Sequence, residues 1–233
     1  IPDLTPATTY YLRVVATDAS GNSSSQDLIV DTRPASGRLV SDDFDRPSLD
    51  TSVWTIVDPV GDASVAQSGG RLEIAVPAGV CHDVWTSGIL APRVVQSVSD
   101  LADFEIEVGF DNQPAGRYAL SGLLLEADNG QRLRFDFYST SSSSLRIFAA
   151  SFEGTSPTVR HNQAISVPAG APLLMRVARQ GNLWTQRYSW DGQNWTDAAQ
   201  FAYDLEVSGI GLFAGNADGM PAHTAVIDYF RDV

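Results

Sequence analysis

The sequence predicts an all-β protein, built as a jelly-roll sandwich of two antiparallel sheets. Apolar residues recur at every second position in many short segments, as along Leu72, Ile74 and Val76, with polar residues between them. Turn-forming Gly, Pro, Asn, Asp and Ser separate these segments, and none of them has convincing helical spacing. Because such a strand buries one face, two sheets packed face to face would enclose all the apolar stripes. The 233 residues, 43% of them hydrophobic, suffice for one large sandwich or two small domains.

Residues 36–233 are predicted to form this sandwich. Alternating segments follow one another along this stretch, at 71–76, 104–110, 132–138, 145–149, 173–177, 210–214 and 225–229. A serine-rich tip joins the third and fourth of these segments, which predicts a hairpin. Asp191-Gly192 is typical of the tight turn of another hairpin.

Residues 1–35 are predicted to form a separate unit. An alternating strand after Tyr10 ends at a Gly21-Asn22 turn, and residues 26–32 would form a last strand. The Leu-x-Pro-x-Thr-x-Tyr run that ends at Tyr10, and the Asp-x-x-Gly-Asn turn, resemble the second half of a fibronectin type III domain. That resemblance implies two of the roughly seven strands of such a domain. Residues 33–37 are interpreted as a linker.

The motifs of the larger domain are more specific than its pattern. They include Asp42-Asp43-Phe44 with Trp54, Ser68-Gly69-Gly70, His82-Asp83-Val84-Trp85, Ala91-Pro92-Arg93, Asp191-Gly192 with Trp195, and Ile227-Asp228-Tyr229-Phe230. Together they resemble bacterial concanavalin A-like domains related to the C-terminal domain of family 43 β-xylosidases. The resemblance implies a lectin-like jelly roll, often attached to secreted glycan-degrading enzymes and often beside fibronectin type III modules.

The function that the resemblance implies is carbohydrate binding or structural support. We expect a secreted or cell-surface protein with a polysaccharide or oligosaccharide partner, linked covalently to catalytic or adhesin domains that this chain lacks. A structural or interaction module without sugar affinity is the first alternative. A glycoside hydrolase or polysaccharide lyase of concanavalin A-like fold is the second.

The charge balance argues against nucleic acid as a partner. All 15 basic residues are arginine, 28 residues are acidic, and the formal net charge is −13. A polyanion would therefore meet net repulsion. No apolar run reaches membrane-spanning length, so membrane insertion is not expected. Cys81 is the single cysteine, which rules out a disulfide within the chain.

Catalysis is not expected, although the fold class includes enzymes. Retaining glycosidases need two carboxyl groups about 5–5.5 Å apart. The related hydrolases carry Glu-x-Asp-x-x-Glu or Glu-x-Asp-x-Glu on one strand, and neither run occurs here. Glu105 and Glu107 share one face of a predicted strand, where solvated carboxylates are common. The tyrosine, histidine and arginine run of a related lyase is absent as well.

The candidate ligand-binding residues combine an aromatic ring with hydrogen-bonding groups, as sugar recognition requires. His82, Asp83 and Trp85 form the leading group, although Trp85 could equally cover the sandwich edge. The further candidates, each with a structural alternative, are Arg93, Gln96, Arg134, Tyr138, Asn216 and His223. Arginines on one strand face could hold an acidic sugar, or could form a solvated or self-paired ladder.

A structural calcium ion is the one cofactor that the sequence suggests. Asp42 and Asp43 near the start could meet Asp228 near the end, because first and last strands often pair in jelly rolls. Calcium prefers several oxygen ligands, which these carboxylates would supply. Zinc is not expected, since His82, His161 and His223 lack ligand spacing and Cys81 has no partner cysteine.

Overall fold

The computed structural model describes residues 9–31, 38–99, 101, 103–141 and 144–233. Regular structure in these ranges is entirely β-strand, and they hold no helix of the length and apolarity that a membrane span requires. The first nine strands are β1 (Thr9–Thr17), β2 (Ser23–Asp31), β3 (Thr55–Val57), β4 (Ser64–Ser68), β5 (Arg71–Val76), β6 (Val84–Trp85), β7 (Gly88–Ile89), β8 (Arg93–Ser97) and β9 (Phe104–Phe110). The other nine are β10 (Ala119–Glu126), β11 (Arg132–Ser141), β12 (Ser144–Glu153), β13 (Ser156–Ile165), β14 (Leu173–Gln180), β15 (Leu183–Ser189), β16 (Thr196–Ala202), β17 (Gly209–Asn216) and β18 (His223–Asp232).

Two seven-stranded antiparallel sheets form the sandwich, which confirms the predicted fold class. The front sheet has the strand order β13-β12-β11-β10-β17-β8-β3. The back sheet has the order β16-β15-β14-β9-β18-β5-β4. The predicted hairpins are present, since β11 pairs with β12 and β15 pairs with β16.

The core lies between the two sheets and is built from the predicted apolar stripes. On β11, the inward side chains of Leu133, Phe135 and Phe137 are fully buried. Trp184 from the back sheet packs against Phe135, with ring centroids 6.4 Å apart. Truncating a buried aromatic of this kind to alanine costs about 3–5 kcal/mol, so this contact contributes substantially to the stability of the sandwich.

The first and last segments of the sandwich domain meet at the back sheet. Asp42 forms an isolated antiparallel bridge with Phe230 of β18. The indole nitrogen of Trp54 donates to Asp42 Oδ2 at 2.8 Å, and the Trp54 ring meets Phe230 edge-on at 5.3 Å. The predicted approach of the two ends is therefore present in the structure.

Strands β1 and β2 form a separate two-stranded sheet. Its apolar side chains remain largely exposed, as Tyr11 at 79% and Ile29 at 69% show. The predicted last strand of this unit falls mostly within β2. Residues 4–8 of the predicted corner and the predicted linker, 33–37, lie outside the described residues, and the resemblance to fibronectin type III stays a prediction.

A covering segment, residues 77–92, crosses the outer face of the front sheet and carries the short hairpin of β6 and β7. Val84 and Ala91 of this segment are fully buried. They pack on outward side chains of the sheet in a second apolar cluster, which includes Leu120, Leu124, Phe152 and Phe213. The outer face of the front sheet is therefore partly covered, and the remainder is open.

Candidate ligand-binding hollow

The open part of the front sheet's outer face is a hollow of about 420 Å³. Its floor consists of Leu120, Arg134, Tyr138 and Phe148, which project from β10, β11 and β12. Its walls come from the covering segment, from the turn before β10, from β13 and from the loop after β17. The wall residues are Asp83, Trp85, Tyr118, Val159, Asn162, Ala217 and Asp218.

The alternation of side chains along β11 determines which of its residues reach the floor of the hollow. Leu133, Phe135 and Phe137 point into the core, so Arg134, Asp136 and Tyr138 must point outward. Tyr138 lies opposite Leu120 on β10 and opposite Arg146 on β12.

Arg134 and Asp136 form a buried ion pair beneath the hollow. Arg134 Nε and Nη2 donate to the two oxygens of Asp136, each at 2.9 Å. Burial would lower the pKa of the Arg134 guanidinium, but Asp136 more than compensates and raises it. Arg134 Nη1 donates to the Val84 carbonyl at 3.0 Å and lies 3.6 Å from Asp83 Oδ1. The guanidinium thus fixes the covering segment and has little capacity left for a ligand.

A glycine on β10 makes room for this pair. A Cβ atom on Gly122 would lie 2.3 Å from the Phe135 carbonyl oxygen and 2.5 Å from Asp136 Cβ. Both distances are far below van der Waals contact, so only glycine fits beside Asp136.

Aromatic rings line much of the hollow. Trp85 is half-buried and meets Phe152 edge-on at 5.6 Å. Tyr118 stacks on Tyr138 at 6.0 Å with an interplanar angle of 18°. Tyr118 also has a positive φ of 56° in the turn before β10. Trp85 and Tyr118 are both half-buried, and a partly exposed aromatic side chain is what stacking on a sugar ring requires.

Asn162 supplies an oriented amide at the edge of the hollow. Its Oδ1 accepts from the Tyr138 hydroxyl at 3.0 Å and from Arg146 Nε. Within the described part of the chain, its amide nitrogen is left to donate to a ligand. Burial raises the pKa of Tyr138, which keeps the phenol protonated as the donor in this contact.

Four of the nine predicted ligand residues line the hollow: Asp83, Trp85, Arg134 and Tyr138. They come from two separate segments that the fold brings together. Sequence reasoning missed Tyr118, Phe148, Asn162 and Asp218, although the outward register of Phe148 follows from the alternation of β12.

The other five predicted residues lie elsewhere and hold the sandwich together. His82 is fully buried, and its backbone nitrogen donates to Asn216 Oδ1 at 2.9 Å. Arg93 pairs with Glu126 at 2.6 Å. The Gln96 side chain bonds both backbone groups of Val40, at 2.9 and 2.6 Å. His223 Nε2 lies 2.8 Å from the Ser121 hydroxyl.

The three carboxylates considered for calcium each have other partners. Asp42 accepts from the Phe44 backbone and the Trp54 indole. Asp43 pairs with Arg231 at 3.0 Å, and Asp228 pairs with Arg71 at 2.8 Å. In the described ranges, no group of three or more His, Cys, Asp or Glu side chains could hold a metal ion. The structural calcium ion stays a prediction.

The two carboxylates weighed for catalysis lie on the outer face of the back sheet, across the core from the hollow. Glu107 accepts from Arg176 Nε at 2.7 Å and from the Tyr229 hydroxyl at 2.7 Å. Arg176 Nη1 also lies 3.6 Å from Glu105. One guanidinium therefore lies beside both carboxylates.

No family model matches the chain, and no curated protein matches it by sequence. Solved structures match its fold. The GH43 protein BlXynB from Bacillus licheniformis matches with a TM-score of 0.66 and 17% identity, over 94% of this chain and 45% of that chain. A xylan β-1,4-xylosidase from Bacillus halodurans C-125 matches with a TM-score of 0.62 and 15% identity, over the same shares, 94% and 45%. The CBM2 module of the evolved Dit protein of Lactobacillus casei BL23 phage J-1 matches with a TM-score of 0.61 and 10% identity, over 83% of this chain and 94% of that module.

These matches show the fold of the chain, a two-sheet β-sandwich. The chain has the fold seen in GH43 β-xylosidase structures and spans less than half the length of the two Bacillus chains.

Proposed function

We propose that the chain is a non-catalytic carbohydrate-binding module, and that the hollow on the front sheet is its binding site. The observation that carries the proposal is the convergence of Trp85, Tyr118 and Asn162 on one cavity. Two rings can pack on the C–H faces of a sugar, while the amide and the Asp83 carboxylate meet its hydroxyls.

The similar structures support a carbohydrate-related role. Their names include a xylan β-1,4-xylosidase and a CBM2 module. Since the chain spans 45% of the Bacillus chains, we further propose that it belongs to a secreted multidomain protein, beside a polysaccharide-degrading or adhesin domain.

The geometry supports binding over catalysis. Glu105 and Glu107 share Arg176 and lie on the sheet opposite the hollow. In the hollow itself, Asp83 lies 3.6 Å from Arg134, and Asp218 pairs with Arg117 at 2.7 Å. Both carboxylates thus lie beside an arginine, whereas a general acid needs surroundings that favour its neutral form.

A glycan array followed by affinity gel electrophoresis tests the proposal. Trp85→Ala and Tyr118→Ala should each weaken binding by about tenfold or more, because each removes a stacking surface. Trp195→Ala is the matched control, since Trp195 stacks on Arg176 at the back sheet, 4.1 Å from ring centroid to guanidinium. It should leave binding unchanged.

Two outcomes would contradict the proposal. An array without any bound glycan would favour a structural or interaction module. Release of reducing sugar from a polysaccharide panel, abolished by Glu107→Gln, would favour an enzyme.

A further inference from the structure

The covering segment limits what the hollow can hold. It is fixed across the front sheet at three strands, by His82 with Asn216 of β17, by the Val84 carbonyl with Arg134 of β11, and by the Trp85 ring on Phe152 of β12. Arg132 Nη2 adds a bond to the Trp85 carbonyl at 3.3 Å. An apolar cluster lies beneath the segment, so this barrier is part of the folded core.

Residues also line the hollow on two sides that the covering segment does not form. Val159 and Asn162 line it on the side of β13, while Ala217 and Asp218 line it on the side of β17. A groove for the middle of a polysaccharide chain must be open at both ends. The volume of about 420 Å³ lies in the lower part of the range of about 300–1,000 Å³ for small-molecule sites. The hollow therefore has room for one or two sugar rings.

The charges that face the hollow disfavour an anionic sugar. Asp83 and Asp218 line it, against the single guanidinium of Arg134. Arg134 is committed to Asp136 and to the Val84 carbonyl. At the rim, Arg117 pairs with Asp218, and Arg146 bonds the Asn162 side chain. A uronate or sulfate would therefore meet two carboxylates in the hollow, where the nearby guanidiniums already have hydrogen-bond partners.

We infer that the ligand is the neutral, terminal one or two sugar units of a glycan, bound end-on in the hollow. The inference rests on the proposed function and narrows it in two ways. Binding stops at the chain end because the covering segment, β13 and the loop after β17 bound the hollow, and it disfavours acidic sugars because two carboxylates line the hollow.

Calorimetric titration of the intact chain tests both parts. The probes are xylobiose, cellobiose and lactose, the longer xylo- and cello-oligosaccharides, and digalacturonate. The affinity for the best disaccharide should equal that for its longer oligomers within about twofold, and should exceed that for digalacturonate by about tenfold or more. Cutting the matching polysaccharide with an endo-acting hydrolase should increase the protein bound per gram, because it creates new ends.

Asp218→Asn provides the matched variant. Asparagine tolerates the positive φ of 34° at this exposed position, and the change frees Arg117. The ratio of the affinity for digalacturonate to the affinity for the neutral disaccharide should therefore rise in this variant. An affinity that rises steadily with chain length, or a preference of the unaltered chain for digalacturonate, would overturn the inference and leave the proposed function standing. Absence of binding to every sugar would overturn both.

Discussion

Arg134 and Asp136 lie two residues apart on one face of β11 and join through two hydrogen bonds of 2.9 Å. Here the covering segment excludes water from above and Gly122 leaves space beside the carboxylate. The pair therefore links the front sheet to the segment that shapes the hollow.

Asp136→Asn should destabilise the fold by about 3–5 kcal/mol, because it removes the main counter-charge of the buried Arg134 guanidinium. Urea denaturation measures the change in the free energy of unfolding. Asp43→Asn is the control, since the Arg231–Asp43 pair is about half exposed, at 49% and 59%, and such pairs contribute about 1 kcal/mol or less. Equal losses in the two variants would contradict a special role for the buried pair.

Gly122→Ala should also destabilise the fold, by about 1–3 kcal/mol or more, because the new methyl group overlaps the Phe135 carbonyl. Backbone atoms cannot yield as a side chain can. Gly209→Ala is the matched change on the neighbouring strand β17, where the nearest atom is a Val95 methyl at 3.2 Å. Its midpoint of urea unfolding should fall much less, and the opposite order would show that the steric argument is wrong.

The alternation of polar and apolar residues predicted the sandwich and part of the hollow. It placed Arg134 and Tyr138 on one outward face, and the structure confirms that arrangement. Alternation is a local property of each strand, so it does not predict which distant segment packs across the outer face of the sheet. The bonds from Arg134 and Arg132 to carbonyls of the covering segment join residues 50 and 47 positions apart.

The same limit explains the residues that were missed. Tyr118 enters the hollow through a turn with positive φ. Asn162 enters because β13 pairs with β12 and carries an irregular register near Ala149. Neither feature has a signature in the sequence. Conversely, histidine is a residue type that often binds sugars, but the His82 ring is buried and its Nε2 lies 2.6 Å from Asp62 Oδ1.

Trp54→Phe should destabilise the sandwich by about 2–4 kcal/mol. The change leaves a void beside Phe230 and removes the indole donor from Asp42 Oδ2. Trp195→Phe is the control, because Trp195 is only half-buried on the outer face of the back sheet. Thermal unfolding should show a clearly larger fall in Tm for Trp54→Phe, and equal falls would contradict the role of Trp54 in joining the two ends.

His223 should make the fold sensitive to acid. Burial lowers the pKa of His223 from 6.5 to about 4, so the unfolded chain binds the proton more readily than the folded one. Stability contributed by the neutral ring is complete above the unfolded pKa and is lost as the pH falls from about 6.5 to about 4, by up to about 3 kcal/mol. His223→Gln should flatten this part of the profile when urea midpoints are measured at several pH values. His161→Gln, at a less buried ring, should flatten it less. An unchanged acid slope in His223→Gln would assign the effect to the carboxylates instead.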